Sequence, residues 1–220
     1  METYIIVPFL VHFSSFWLFC GLFYYYDKKF INKSINNREK YKKAIRISLL
    51  NQLCITLPLL YLSRDIIKNI IIIADNYSLT KNMINIFLIG NLSNIFFYSI
   101  HRLFHLNYFY KKIHTVHHEF VEPVAPSSLY AHPIEHIFAN TMPFLLAYFI
   151  CGGCSYNITL GLLCIGSFVT TSAHVNHDIK ILGREHLYHH KFYKYNFGFG
   201  RYLDRLFRTN YNKYLQNNNS

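Results

Sequence analysis

Thirteen histidines occur in 220 residues, and twelve of them fall between positions 101 and 190. They come in short runs: HRLFH at 101–105, HTVHH at 114–118, AHPIEH at 131–136, AHVNHD at 173–178 and HLYHH at 186–190. On a helix, residues three and four apart share a face. His101 and His105 are spaced i, i+4. His114, His117 and His118 are spaced i, i+3, i+4, and His186, His189 and His190 repeat that pattern. His174 and His177 stand three apart. Each run is therefore expected to aim two or three imidazoles at one point. Neutral imidazole is a ligand for iron, zinc, copper and nickel. Ten convergent rings exceed what one ion takes. The count suits two ions with about five ligands each and positions left open for an exogenous ligand. A zinc ion that only braces the fold fits poorly. Structural zinc takes four ligands, often thiolates, and Cys20, Cys54, Cys151, Cys154 and Cys164 lie elsewhere in the chain. His12 stands apart in an apolar stretch and reads as a packed or hydrogen-bonded residue.

The segments that must hold these rings are greasy. Residues 4–25, 44–62, 83–100, 133–150 and 156–173 are apolar blocks nearly free of charge. About 20 apolar helical residues cross a hydrocarbon core of roughly 30 Å, so these blocks read as membrane spans. The first is not a signal peptide: it lacks a basic leader, it is long, and bulky aromatics replace a small-residue cleavage site. The run IIKNIIIIA at 66–74 carries Lys68 and is too short to cross. It is expected to lie at the interface or to extend the second helix. The expected fold is an all-α integral membrane protein of about four to five transmembrane helices, with a histidine-rich helical cap carrying a two-metal site. Residues 1–82 form the N-terminal membrane region, with a basic loop at 27–46, and residues 83–220 form the catalytic domain.

Charge orients the bundle. Residues 27–46 hold eight Lys or Arg against two acids, and the tail from Asp178 holds eight against three. With alternating spans, both share one face with residues 101–135. The whole net charge of +11 then lies on that face. Positive loops stay cytosolic, so the histidines are expected to face the cytosol. The same residues account for the basic character without a nucleic-acid partner. CGGC at 151–154 falls at the opposite turn, where an oxidising lumen would permit a disulfide. A glycine-bearing turn between helices is the simpler reading.

The order HRLFH, HTVHH, AHPIEH, AHVNHD and HLYHHKF followed by NFG resembles the fatty acid hydroxylase / sterol desaturase superfamily of membrane di-iron oxygenases. The stretch YKKIHTVHHEFVEPVAPSSLYAHPIEH at 110–136 is especially similar to the methylsterol monooxygenases and cholesterol 25-hydroxylases. The resemblance covers residues 83–209; the first 80 residues share only their hydrophobic character. It implies metal ligation by His101, His105, His114, His117, His118, His174, His177, His186, His189 and His190. Asn176 or a water is the alternative to His177. His132, His136 and Tyr130 would stand behind the ligands or line the pocket, and no catalytic residue beyond the ligands is implied.

The resemblance further implies two iron ions, dioxygen as co-substrate, and electrons from NAD(P)H through a reductase or cytochrome b5. The chain has no dinucleotide fingerprint or haem motif, so a partner must deliver the electrons. The implied setting is the endoplasmic reticulum membrane, with a membrane lipid as substrate. A sterol fits the local resemblance, and a fatty-acyl lipid or sphingolipid is the alternative. Hydroxylation and desaturation begin with the same hydrogen abstraction, and both stay open. Outside this class, a metal transporter would place histidines along the middle of the spans, and a silent lipid-binding relative would hold no metal. Glu119, Asp178 and Glu185 border the motifs and read either as acceptors that orient ligand rings or as solvated interfacial charges. The loop 121–131 reads either as the lining of the substrate entrance or as a plain connector. Two departures stand out: the family ending LFGT is LFRT here, with Arg208 at the glycine, and the run HVNHD at 174–178 replaces the HSGYD of sterol-acting members, which bears on His177.

Overall fold

All the regular elements are helical in the computed structural model, which describes residues 3–175 and 184–211. Asn176, His177 and Asp178 lie outside those residues. Five helices are long and apolar enough to cross a membrane. They are α1 (Thr3–Ile31), α2 (Ile35–Leu62), α4 (Leu79–Phe104), α5 (Pro133–Cys151) and α6 (Tyr156–Ala173). Between the second and third of these lies α3 (Arg64–Ala74), and α7 (Arg184–Phe192) and α8 (Arg201–Leu206) follow the last. The run at 66–74 thus neither crosses nor continues the second helix. The chain breaks at Ser63, and α3 lays Ile67 and Ile71 against Ile5 of α1.

The outer surface inverts the soluble pattern. Leu22, Phe87 and Ile165 are 63%, 68% and 60% exposed on helices whose inner faces bury polar groups. Lipid tails are the solvent such a surface suits. One inner cluster joins Phe16 and Cys20 of α1 to Ala125, Leu129 and Val175. The bundle core therefore includes the N-terminal helices that the motifs do not reach.

The turn after α5 is built on two left-handed glycines, Gly152 (φ 72°) and Gly153 (φ 67°). A Cβ on Gly153 would stand 2.4 Å from Ile70 Cγ2, so only glycine fits there. Cys151 and Cys154 are both free thiols.

Three π-helical turns interrupt the helices: Gln52–Thr56 in α2, Tyr110–His114 before the second histidine motif, and His136–Thr141 in α5. Two have a visible cause. Pro58 and Pro143 lack the N–H that would close on the carbonyls of Cys54 and Ala139, which lie inside the π turns. The chain widens by one residue instead.

Residues 123–131 correct an expectation: they are buried rather than lining an entrance. A buried loop needs partners for its backbone, and α1 and α2 supply them. Ser48 Oγ donates to Pro126 O at 2.7 Å. Asn51 Nδ2 donates to Leu129 O at 2.9 Å and Ala131 O at 3.0 Å. The Asp27 carboxylate accepts from Ala125 N at 3.1 Å. Nearby, Lys43 pairs with Glu119 at 2.9 Å and Lys33 with Glu122. The basic loop and the histidine motifs therefore share one end of the bundle.

Candidate metal centre

The end of α4 carries His101 and His105 on one face, and the π turn that follows swings His114 back toward them. With His118 and His189 they form one group of imidazoles; His117, His174, His186 and His190 form a second. All nine described candidates are thus gathered, and within each group the candidate ligand atoms lie within 4.8 Å of one another.

The spacing rule needs one correction. The triplets do not aim at a single point. His114 and His118 enter the first group while His117 enters the second; His186 and His190 enter the second while His189 enters the first. In α7, four residues overshoot a full turn by about 40° and three fall short by about 60°, so i+3 and i+4 diverge by about 100°; residues 114–118 reach the same split across the end of a π turn and a following 3-10 turn. Each triplet therefore bridges both groups.

The protons are turned away from the centre. His101 Nδ1 donates to Phe197 O and His189 Nδ1 to Tyr195 O, both at 2.7 Å. His117 Nδ1 donates to Tyr130 O at 3.1 Å, and His174 Nδ1 to Thr170 O at 3.0 Å. His114 Nδ1 donates to Glu135 Oε1 at 2.8 Å. Carbonyl oxygens only accept, so His101, His189, His117 and His174 carry their proton on Nδ1 and present a bare Nε2, and an ionised Glu135 sets the same tautomer on His114. Bare Nε2 atoms nonetheless crowd together. His101 and His114 are 3.2 Å apart, and His117 and His174 are 3.3 Å apart. With no proton between them, two lone pairs repel at that range, and a cation reverses the sign. Metal–imidazole bonds of about 2.1 Å at right angles put neighbouring nitrogens about 3.0 Å apart. The remaining contacts, from 2.9 Å for His105–His114 to 3.2 Å for His186–His190, fit that spacing. The donor set therefore suits two borderline metal ions.

A family model described as fatty acid hydroxylase matches residues 86–209. The chain belongs to the fatty acid hydroxylase family. Its relatives include fatty acid hydroxylase ahd1 of Mycosarcoma maydis, 39% identical over 54% of this chain and 31% of that protein. Another is fatty acid hydroxylase domain-containing protein 2 of Homo sapiens, 36% identical over 54% of this chain and 36% of that protein. A third, C-4 methylsterol oxidase erg25 of Schizosaccharomyces pombe, is 31% identical over 60% of this chain and 49% of that protein. The matches thus span about a third to a half of these relatives. No solved structure matches the chain.

Several expected neighbours of this family site play other parts. Glu119 accepts from the Tyr130 hydroxyl and pairs with Lys43, and Glu185 pairs with Arg201 at 2.6 Å. Neither orients a ring in the described residues. Glu135 does, and it is 3% exposed. Its sequence signal was an acid in the first turn beside a motif, which reads equally well as a helix-dipole partner. Tyr130 acts through its carbonyl on His117, and its buried side chain packs on Phe120. His132 is an N-cap, its Nδ1 accepting from Ile134 N at 3.2 Å, and joins neither group. His136 bonds Thr56 across the bundle at 2.8 Å. The acceptors Phe197, Tyr195 and Thr170 work through backbone and left no trace in the residue types.

Phe197 is itself held by Asp204, whose carboxylate accepts from Phe197 N at 2.8 Å and Gly198 N at 3.0 Å. Thr209 Oγ1 donates to the same carboxylate at 2.7 Å. Arg208 sits in this motif at φ 56°, the conformation the family glycine takes freely. Arg208→Gly should relieve roughly 1–2 kcal/mol of left-handed strain, offset by about 0.4–1 kcal/mol of glycine entropy. A net gain of about 1 kcal/mol is expected, read as a raised thermal midpoint.

Burial, reinforced by neighbouring imidazoles, holds His114, His118, His174, His186, His189 and His190 well below the usual histidine range. Burial pushes His117 down to about 4. These rings are neutral in the fold, whereas in the unfolded chain each takes a proton near pH 6.5. Their contribution is present above that pH and is lost as pH falls from about 6.5 toward 4. Titration from pH 7 to pH 5 should therefore lower the thermal midpoint and release bound metal together. A midpoint flat across that interval would contradict the burial of these rings.

Proposed function

We propose that the protein is a membrane oxygenase that holds two iron ions between its histidine groups and hydroxylates, oxidises or desaturates an unactivated C–H bond of a lipid. One observation carries the reading: imidazoles from well-separated stretches of chain present unprotonated nitrogens to two adjoining points, with their protons drawn outward by carbonyls and one carboxylate. Bound iron supplies what no side chain can, an oxidant generated from dioxygen and delivered electrons that is strong enough to break such a bond. The first group would hold one ion through His101, His105, His114, His118 and His189. The second group would hold the other through His117, His174, His186 and His190.

The chain's own part is positional. Carbonyl and carboxylate acceptors keep each ring in one tautomer and one orientation. The apolar walls exclude water from the centre, and the bundle admits substrate from the bilayer. A sterol is the substrate we favour, with a fatty-acyl lipid next; the relatives carry both kinds of name, and the preference rests on the likeness of residues 110–136 to methylsterol monooxygenases. Electrons come from a cytochrome b5 or a reductase, for which the basic end of the bundle suits an acidic partner. The endoplasmic reticulum membrane, with the basic end toward the cytosol, is the setting that accommodates all of these. A transporter fits less well, because the two histidine groups sit together at one end of the bundle.

Metal analysis of the protein purified from membranes tests the proposal. About two irons per chain, with a lipid product that appears only when the intact chain and dioxygen are present, is the expected result. Protein that folds and binds lipid with no metal would instead identify a silent lipid-binding relative.

A further inference from the structure

A second polar cluster lies inside the bundle, outside both histidine groups. His12 and Trp17 come from α1, Gln52 and Thr56 from α2, His136 and Asn140 from α5, and Ser167 from α6. His12 Nδ1 and Ser167 Oγ are 3.1 Å apart, and Thr56 Oγ1 and His136 Nε2 are 2.8 Å apart. Trp17 Nε1 donates to Gln52 Oε1 at 2.9 Å. Polar side chains within membrane spans are costly and mark function more often than not.

Two further observations point to a ligand. The cluster is built on two of the three π turns, Gln52–Thr56 and His136–Thr141, and such turns recur at functional sites. Gln52 is 0% exposed, and its Nε2 has no partner among the described residues. A buried amide donor without an acceptor is destabilising, and an acceptor brought by a ligand removes that penalty.

The register shows where this site sits. Ser167 precedes His174 by seven residues, about 10 Å of helix, and His136 directly follows Glu135, the carboxylate that holds His114. The cluster is thus the layer next to the metal centre. Beyond it lies an apolar cavity of about 40 Å³ lined by Pro8, Leu60, Phe144 and Leu163 among others. Each of those four stands one helical turn from a cluster member: His12, Thr56, Asn140 and Ser167. On all four helices the apolar cavity therefore lies one turn beyond the polar layer, and on α5 and α6 that layer lies between the cavity and the histidine groups.

We propose that this polar layer binds the neutral oxygen, hydroxyl or carbonyl, of the lipid on which the metal centre acts. The proposal rests on the oxygenase reading for its substrate. Gln52 Nε2 donates to that oxygen, and the apolar body extends along the line of the cavity. No lysine or arginine stands among the cluster residues, so a carboxylate or phosphate would be left unpaired. The site therefore selects an uncharged lipid whose reacting carbon lies within about 10 Å of the oxygen.

The test uses the full chain in lipid nanodiscs, with iron content measured in every sample. Three photoreactive octadecyl probes carry the same diazirine: an alcohol, the matched carboxylic acid and the matched hydrocarbon. The expected result is at least tenfold more labelling by the alcohol than by the other two, on peptides holding residues 12–17, 52–56 and 136–140. Unlabelled cholesterol or octadecanol should compete, and octadecane should not. Gln52→Leu should bring alcohol labelling down to the hydrocarbon level with iron content unchanged. Thr56→Val serves in its place if that variant fails to insert. Equal labelling by alcohol and hydrocarbon, as for a site occupied by water alone, overturns the proposal. No labelling of these peptides, or full alcohol labelling in Gln52→Leu, overturns it as well. Absence of iron from the unaltered chain would defeat the oxygenase reading instead, and the alcohol preference separates the two failures.

Discussion

Replacing His117 by alanine is expected to abolish product formation while leaving the five helices inserted. His117 Nε2 meets His174 Nε2 at 3.3 Å, and its Nδ1 is held by Tyr130 O. The second group has four described members, and three would remain. Loss of a residue that merely supports a ligand costs about 10–100-fold in metal affinity or activity. Loss of the ligand itself should exceed that, with bound iron falling from about two per chain toward one. His132→Ala is the contrast. It removes a helix cap, for about 1 kcal/mol of stability, and should keep both metal and turnover. Iron quantitation and product assay on the two variants decide the matter. A His117→Ala protein that still turns over would contradict the assignment of that ring.

The second large effect is expected at Glu135. One of its oxygens accepts from His114 Nδ1, and the other is buried without a partner among the described residues. A buried carboxylate is stable only beside compensating charge, which an ion on His114 would supply. Glu135→Ala removes the acceptor and should weaken metal retention by about 10–100-fold. Glu135→Gln keeps an acceptor oxygen and loses the charge, so it should fall between the two. Chelator titration followed by metal analysis measures both. Glu119→Ala should leave retention near normal, because Glu119 bonds Tyr130 and Lys43 rather than a ring. Equal retention in all three variants would remove Glu135 from the centre.

The buried loop extends this logic to the N-terminal helices. Tyr130 O can hold His117 only if residues 124–131 are themselves held. Asp27, Ser48 and Asn51 do that from α1 and α2. In the sequence these three are scattered polar residues on largely apolar helices, and nothing in their spacing points to a loop 78 to 98 residues away. The polar layer has the same character: His12 read as an isolated packed histidine, and only packing brings it opposite Ser167.

Local regularities of this chain were enough to establish five apolar spans, the gathering of the histidine motifs at one end of the bundle, and the family. Hydropathy over 20 residues and a helical repeat of 3 or 4 are properties of neighbours along the chain, and neighbours along the chain are what a sequence displays. Tertiary structure alone decided which ring joins which group, that Glu135 rather than Glu119 or Glu185 stands behind a ligand, and that residues 123–131 are buried. Those outcomes depend on the direction of single side chains across helix interfaces. A one-residue widening at each π turn rotates everything beyond it by about 100°, and side chains that meet across the helix interfaces are as far as 155 positions apart.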